Sequence, residues 1–293
     1  MRNPDEEKLV QAGNIARSCL DIAEDLIAKD VSMKHVLQVI ENKIEEENAK
    51  PAFPPQISLN ETAAHFYPGK EDVTFDQGDI CKVDVGVSID GYLADTARTV
   101  VVGKHPLRKA VHTVLKNVLQ EVKPGIEIGY VGKIIARETK KQGFQPVTNL
   151  TGHGLDRHDA HVPPTIPNYD NGNTSKLEPG MLIAIEPFIT EGNGSVYHSG
   201  KPTVFEEAEE HKVRDRIARP IYKEIKTYEG LPFASQWLAN TFGWGKTKYA
   251  LRKLEQQGVI KGHPPLVEES GGLVSQAEHT VLIREDDVLI TTQ

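Results

Sequence analysis

Two aspartates, Asp84 and Asp95, flank a turn in a stretch of alternating apolar residues. The segment GDICKVDVGVSIDGYLADTARTV predicts two β-strands joined by a turn at residues 88–91, whose midpoint is equidistant from the two aspartates. In that register they are direct cross-strand partners with side chains on one face. Opposed carboxylates destabilise a sheet unless they share a proton or bind a cation. The spacing therefore predicts a site for a divalent metal.

Three more residues have the types that metal sites use. Glu186 ends the apolar run 181–185, and Glu278 opens the apolar run of a C-terminal hairpin that turns at residues 284–287. Both acids should lie on buried strands, where an ionised carboxylate needs a partner. His153 lies between two glycines, which suits a backbone that bends sharply near a site. It adds an imidazole ligand.

Structural ion pairs are the alternative explanation for these acids. They would require buried Lys or Arg partners, and Lys82 is the only candidate beside that face. Strand alternation turns Cys81 away from Asp84, which indicates a small core residue rather than a ligand. Four carboxylates and one imidazole suit two ions bridged by carboxylates and favour manganese, ferrous iron, cobalt or zinc over copper.

The periodicity predicts helices that position these residues. Four helices are expected, at residues 6–29, 32–48, 106–122 and 128–142, and Ser32 is a plausible N-cap of the second. The pattern also repeats weakly along the chain. Six residues separate Gly78 from Asp84 and Gly180 from Glu186, and each half has a Phe-Pro or Phe-x-Pro motif followed by a histidine. This echo predicts a duplicated α+β unit with a shared central site.

Composition limits the possible locations and partners. The chain has 293 residues, is 38% hydrophobic and carries a formal charge of −8, which argues against a dominant nucleic-acid footprint. Its first residues lack the apolar stretch of a secretory signal, so a cytoplasmic protein without membrane association is expected. Two cysteines do not make a disulfide framework in a chain of this size.

One stretch departs from the acidic average. Residues 209–261 hold eleven Lys and Arg against six acids, a local charge of +5. Helices are predicted at residues 215–228, 232–241 and 246–257, followed by a wing at 259–268, much as in winged-helix modules. Nucleic-acid binding is conceivable there, but the charge is too diluted for a strong phosphate footprint. A structural role is favoured, with no specific nucleic acid as partner.

Four strings in order, KVDVGVSIDGYLADTA, NLTGHG, AIEPF and QAEHT, resemble the methionine aminopeptidases, specifically the type II subgroup in its short archaeal-like form. The resemblance implies an α+β pita-bread fold, a pseudo-twofold duplicated domain with two metal ions between its halves. Residues 1–206 and 273–293 would form this catalytic domain. Residues 207–272 would form the helical, winged-helix-like insert of type II members.

The resemblance implies roles for the site residues. Asp84 would hold one metal, His153 and Glu186 the other, and Asp95 and Glu278 would bridge the two. The two family histidines that contact the substrate match His65 and His161. Glu186 would also shuttle the proton of a hydroxide shared by the two ions, which attacks the first peptide bond. A slot for the methionine side chain would be lined by Phe53, Phe188 and Ala160.

The implied function is removal of the N-terminal methionine from nascent polypeptides, with a small second residue preferred. A monomer is expected, and transient ribosome association is possible. Two alternatives share this fold. Proline-cleaving peptidases normally carry a large N-terminal domain, which this chain lacks. Non-enzymatic binding relatives have lost metal ligands, whereas all five ligand positions are filled here.

Overall fold

The structure, a computed structural model, describes residues 5–209 and 212–293. Its helices are α1 (Glu6–Leu26), α2 (Met33–Glu46), α3 (Pro106–Glu121), α4 (Ile128–Lys141), α5 (Ala218–Ile225), α6 (Ser235–Phe242) and α7 (Trp244–Gln256), with a 3-10 turn at Lys226–Tyr228. Its strands are β1 (Lys50–Pro51), β2 (Gln56–Leu59), β3 (Thr62–Ala64), β4 (Ile80–Ile89), β5 (Tyr92–Val101), β6 (Gln145–Pro146), β7 (Thr151–Asp156), β8 (Asp159–Pro167), β9 (Leu182–Ile185), β10 (Phe188–Thr190), β11 (Val196–His198), β12 (Val204–Glu207), β13 (Phe233–Ala234), β14 (Ile260–His263), β15 (Leu266–Glu268), β16 (Val274–Gln276), β17 (His279–Ile283) and β18 (Val288–Ile290).

Two similar halves make up most of the chain. In the first, β4 pairs with β1, β2 and β5, and helices α1 and α2 pack on these strands. In the second, α3 and α4 pack on a five-stranded sheet of order β18-β17-β9-β7-β8. Each half has its own buried apolar cluster, so each sheet covers its hydrophobic face with a pair of helices. The predicted duplicated α+β unit is confirmed.

The predicted helices are all present, and their ends follow local chemistry. The Ser32 side chain accepts a hydrogen bond from His35 N at 3.1 Å, which confirms it as the N-cap of α2. Helix α1 ends at Leu26, three residues before the predicted end, because Ile27 has an extended backbone, φ −70° and ψ 103°. The C-terminal hairpin also turns as predicted, with Ile283 opposite Val288.

The predicted register of the aspartate hairpin is wrong by two residues. Ile89 pairs with Tyr92, so the turn consists of Asp90 and Gly91 alone. Both turn residues have positive φ, +51° and +84°, the conformation that Asp-Gly pairs favour in two-residue hairpin turns. Asp95 therefore lies opposite Gly86 rather than opposite Asp84. The shift is an even number of residues, so the two aspartates are diagonal neighbours on the same face.

Threonine hydroxyls join the two halves next to the predicted site. Thr280 Oγ1 accepts from Asp95 N at 2.8 Å and donates to Asp95 O at 2.7 Å. Thr99 Oγ1 makes the same two bonds with the backbone of Gln276, at 2.9 and 2.7 Å. These reciprocal bridges replace a strand ladder. They hold β5 against the segment that carries Glu278, whose N donates to Ala97 O at 2.9 Å.

A third apolar cluster lies in the basic part of the chain, where α5, α6 and α7 pack on the sheet β13-β12-β14. The predicted wing differs from the structure: β14 pairs with β12, whereas β15 pairs with β11 and β3. The two strands therefore belong to different sheets instead of one hairpin. None of the helices described is long and apolar enough to cross a membrane.

Candidate metal centre and substrate cavity

A cavity of about 440 Å³ lies where the two halves and the sheet of β12 and β14 meet. The five predicted ligand residues line it: Asp84, Asp95, His153, Glu186 and Glu278. So do four of the predicted substrate contacts: Phe53, His65, His161 and Phe188. The fifth, Ala160, is not among the lining residues; it is buried in the apolar cluster that also contains Phe53. The structure thus brings together all predicted site residues except Ala160.

The five predicted ligand residues come from five different strands or their ends. Asp84 and Asp95 lie on the paired strands β4 and β5, Glu186 directly follows β9, and Glu278 directly precedes β17. His153, on β7, completes the set: its Nε2 is 3.6 Å from Asp95 Oδ2 and 3.5 Å from Glu186 Oε1. Ligand atoms of Asp95, His153 and Glu278 all lie within 4.8 Å of one another.

The glycines beside His153 allow close packing rather than a bend. Neither has positive φ among the residues described. A Cβ on Gly152 would lie 2.2 Å from Ala184 O, and a Cβ on Gly154 would lie 2.5 Å from Pro163 O. Strand β7 therefore approaches its neighbours so closely that only glycine fits on either side of the histidine.

Burial and mutual repulsion dominate the electrostatics of the four acids. Burial is the largest cause that raises the pKa of Asp84, Asp95, Glu186 and Glu278 above the ordinary range, and for three of them the neighbouring carboxylates raise it further. One oxygen each of Asp84, Asp95 and Glu278 is buried without a hydrogen-bond partner. Such orphaned oxygens are the groups that a cation would satisfy.

Lys82 does not form the structural ion pair that was the alternative explanation for the buried acids. Its side chain is fully buried, but Nζ donates to the backbone oxygens of Asn60 at 2.7 Å and Ile80 at 3.3 Å. Burial also lowers the pKa of Lys82 to about 7, which weakens it as a counter-charge. Among the described residues, no ion pair joins any Lys or Arg to the four acids.

His153 has the protonation state that a metal ligand needs. Burial, with a smaller effect of His161, lowers its pKa to about 3, so the imidazole is neutral. Its Nδ1 lies 3.2 Å from Gly154 O, which leaves Nε2 directed at the carboxylates. Four carboxylates and one neutral imidazole fit hard or borderline divalent cations.

The two predicted substrate histidines, His65 and His161, line the same cavity as this ligand set. The ring centroid of His161 is 4.2 Å from that of His153. His161 is exposed as a whole residue, but burial of its imidazole lowers its pKa. His65 has a left-handed backbone, φ +63°, at the end of β3. Burial, followed by the nearby His263, lowers the pKa of His65 to about 3. Its Nδ1 is buried without a hydrogen-bond partner, which leaves it available to a ligand.

Sequence reasoning missed several residues that line the cavity, among them Gln276, Glu206 and His263. Gln276 Nε2 donates to Glu186 Oε2 at 3.2 Å and so orients that carboxylate. Its position two residues before Glu278, on the same face of an extended segment, was a usable signal. Glu206 and His263 also line the cavity. They come from β12 and β14, whose pairing the sequence pattern does not reveal.

A buried constellation of carboxylates and an imidazole, set between two duplicated α+β halves and open to a cavity, defines a metal-dependent hydrolase. The chain belongs to metallopeptidase family M24, whose model matches residues 7–285. This family assignment agrees with the pita-bread fold expected from the sequence motifs.

Individual relatives agree with the family. The chain is 42% identical over 290 residues to a methionine aminopeptidase of Archaeoglobus fulgidus, covering 98% of each chain. A methionine aminopeptidase structure from Thermotoga maritima superposes with a TM-score of 0.73 at 25% identity, over 100% of this chain and 98% of that one. A prolidase from Pyrococcus furiosus shares the fold, with a TM-score of 0.62 at 19% identity, but this chain covers only 63% of it.

Proposed function

We propose that this metallopeptidase removes the N-terminal methionine from nascent proteins and peptides. The observation that carries the proposal is the pairing of two facts: end-to-end similarity to archaeal methionine aminopeptidases and five ligand-type residues converging in one cavity. The 42% identity to a methionine aminopeptidase over 98% of both chains favours methionine release over cleavage before proline, because the prolidase match shows a shared fold only.

Two divalent ions, manganese, ferrous iron, cobalt or zinc, are proposed as cofactors. Asp84 would hold one ion, His153 and Glu186 the other, and Asp95 and Glu278 would bridge them. The partnerless oxygens of Asp84, Asp95 and Glu278 support this assignment. When bound, such ions lower the pKa of a coordinated water and polarise the scissile carbonyl.

The chain's own residues would bind the substrate and move protons. Glu186, held by Gln276 through Oε2, would accept a proton from the attacking water and deliver it to the leaving amine. His65 and His161 would hydrogen-bond the scissile carbonyl or amide and stabilise the charge that develops on it. Both line the cavity that contains the proposed metal ligands.

The side chain of the methionine would occupy an apolar recess beside Phe53 and Phe188. Phe53 packs on Gly86, where a Cβ would lie 2.3 Å from its ring, so the strand that carries Asp84 also seats this wall. Ala160, which belongs to the same buried apolar cluster as Phe53, would shape the recess indirectly. A small residue after the methionine would be preferred, as the resemblance of the sequence motifs implies.

Several finer points belong to the same proposal. Residues 207–272 would form an insert that packs beside the catalytic domain. Two strand pairs cross its boundaries in the structure: β12 pairs with β14, and β15 pairs with β3. The protein would act as a cytoplasmic monomer on nascent chains, with transient ribosome association and no specific nucleic acid.

Initial rates on peptides test the function. Metal-stripped protein, supplied again with manganese or cobalt, should release methionine from Met-Ala-Ser, more slowly from Met-Leu-Ser, and not cleave Ala-Pro-Ser. Asp95→Ala should abolish metal-dependent release. Cleavage of Ala-Pro-Ser alone would support the proline-specific alternative. Metal binding without cleavage of any of the three peptides would support a binding protein.

A further inference from the structure

The two residues that follow β18 are more deeply buried than the strand itself. Thr291 and Thr292 are 2% and 1% exposed, whereas the three residues of β18 are only partly buried. Helix α1 covers this segment so closely that a Cβ on Gly13 would lie 1.8 Å from Thr291 O. Glycine is otherwise unfavourable inside a helix, so its presence here indicates close packing. Neither threonine lines the substrate cavity, so any effect on the site must pass through other residues.

These two threonines bind both backbone groups of Thr280 on β17. Beyond the last residue of β18, Thr280 N donates to Thr292 Oγ1 at 3.1 Å, and Thr280 O accepts from Thr291 N at 3.0 Å. Thr292 Oγ1 also lies 2.8 Å from His279 Nδ1. The Thr292 hydroxyl thus continues the strand pairing where β18 stops, and it contacts two successive residues of β17.

Thr280 in turn fixes the backbone of Asp95. Its side-chain oxygen accepts from Asp95 N and donates to Asp95 O, so one hydroxyl satisfies both backbone groups of Asp95. Glu278 lies two residues before Thr280, and its N donates to Ala97 O on the strand that carries Asp95. Asp95 and Glu278 are the two carboxylates that are proposed to bridge the metal ions. Their separation therefore depends on where Thr280 lies.

We propose that Thr292 is a positioning residue of the metal centre and acts through Thr280 on the two bridging carboxylates. This inference rests on the proposed function and its metal ions. The Thr292 hydroxyl holds Thr280 N, Thr280 Oγ1 holds Asp95, and the segment that leads into Thr280 carries Glu278. Because a bridging carboxylate must reach both ions, a shift of β17 relative to β5 weakens metal binding.

Competition with a fluorescent chelator for manganese tests the inference. Thr292→Val keeps nearly the same side-chain shape but lacks the hydroxyl, so Thr280 N loses its acceptor. We expect the affinity for manganese to fall roughly tenfold, the lower end of the effects seen when groups that orient metal ligands are removed. Thr292→Ser restores the hydroxyl and should recover most of the affinity.

Thr190→Val is the matched control. Thr190 is also fully buried, and its hydroxyl also makes two hydrogen bonds to the backbone, to Leu273 O at 2.8 Å and from Gly192 N at 2.9 Å. It does not line the cavity. Urea denaturation of the metal-free proteins should show a similar loss of stability in both valine variants, whereas the manganese affinity should fall in Thr292→Val alone.

Two further measurements guard against a variant that simply folds poorly. Thr292→Cys has a thiol, which is a weaker acceptor than a hydroxyl, and it should lose affinity in the same direction but by less. Steady-state rates on Met-Ala-Ser at a manganese concentration that half-saturates the wild type should show a lower kcat and an unchanged KM in Thr292→Val. The KM should not change because Thr292 does not line the cavity that would hold the peptide.

The outcomes separate this inference from the function on which it rests. Unchanged manganese affinity in Thr292→Val and Thr292→Cys, or an equal loss in Thr190→Val, would overturn the positioning role while leaving methionine release intact. Failure of the wild type to bind manganese would overturn the proposed metal centre and the positioning role with it.

Discussion

Two glutamates ten residues apart, Glu268 and Glu278, are both buried, with 1% and 2% exposure, but their surroundings are opposite. The carboxylate of Glu268 accepts from the backbone N–H groups of Asn193, Gly194, Ser270 and Gly272 at 2.7 to 3.2 Å. Burial acts to raise the pKa of Glu268, but the hydrogen bonds from the Ser270 hydroxyl and the backbone N–H groups outweigh it and hold the pKa below its usual range. Glu278 has an oxygen with no partner, and burial raises its pKa.

The carboxylate of Glu268 thus organises a loop, whereas that of Glu278 has an oxygen without a hydrogen-bond partner. Around Glu268 the backbone has folded so closely that a Cβ on Gly192 would lie 2.2 Å from its carboxyl carbon. Near Glu278, the ligand atoms within 4.8 Å belong to His153 and to Asp95, a carboxylate that cannot donate when ionised. A buried carboxylate without donors is costly for the fold, and a bound cation offsets that cost.

The largest effect is expected when a ligand carboxylate is neutralised. Asp95→Asn should reduce metal-dependent kcat/KM by at least about 1,000-fold, because loss of the cation removes several kcal/mol of transition-state stabilisation. Steady-state rates and the metal content after dialysis measure this. Glu268→Gln is the matched control, since it neutralises an equally buried acid. It should keep its bound metal, and loss of metal from both variants would show that the two sites do not differ.

Removal of the loop-organising carboxylate should act on stability instead. Glu268→Ala leaves several backbone N–H groups in the 192–194 and 270–272 turns without an acceptor, and we expect the free energy of unfolding to fall by about 3 kcal/mol. Urea denaturation of the metal-free protein provides the measurement. A loss below about 1 kcal/mol would mean that water replaces the carboxylate at little cost.

Loss of the hydrogen bond that orients Glu186 should have an intermediate effect on metal binding. Gln276→Leu keeps the volume but removes the hydrogen bond to Glu186, and metal affinity should weaken roughly 10- to 100-fold. Competition with a fluorescent chelator measures the change. Unaltered affinity would indicate that the hydrogen bond from Gln276 does not support metal binding by Glu186.

The two kinds of acid should give the metal-free protein opposite pH dependences. The carboxyl groups near the proposed metal centre have raised pKa values in the folded state, so they hold protons that the unfolded state releases. The free energy of unfolding therefore falls as pH rises from about 4 towards neutrality. The loss is about 1.4 kcal/mol per pH unit for each proton. Glu268, with a lowered pKa, contributes stability above the ordinary carboxyl pKa, and this is lost as pH falls.

Denaturation at pH 5 and pH 8 tests this, with and without saturating manganese. The metal-free protein should be less stable at pH 8, and the metal should reverse that order. Equal stability of the metal-free protein at both values would contradict the electrostatic account.

Much of the site could be predicted because strands impose a period of two. Alternation placed Asp84 and Asp95 on one face even though the turn was assigned wrongly, since an even register error preserves the face. The Asp90-Gly91 pair carried the correct turn signal and was overlooked. Glu186 and Glu278 could be found because each interrupts an apolar run at a strand end.

What the sequence could not reveal depends on contacts between distant segments. The threonine bridges from Thr99 and Thr280 join residues about 180 positions apart. The pairing of β14 with β12, rather than with β15, brings His263 and Glu206 to the cavity. Such pairings follow from packing of whole elements. No local pattern at His263 distinguishes it from a solvated loop residue.

Equilibrium dialysis of the metal-free protein against manganese, with the bound ions counted per chain, tests the central claim most directly. Two ions are expected in the wild type and in Glu268→Gln, and at most one in Glu278→Gln. Equal numbers of ions in the wild type and Glu278→Gln, or no binding by the wild type, would contradict the assignment of the partnerless carboxylates to a metal centre.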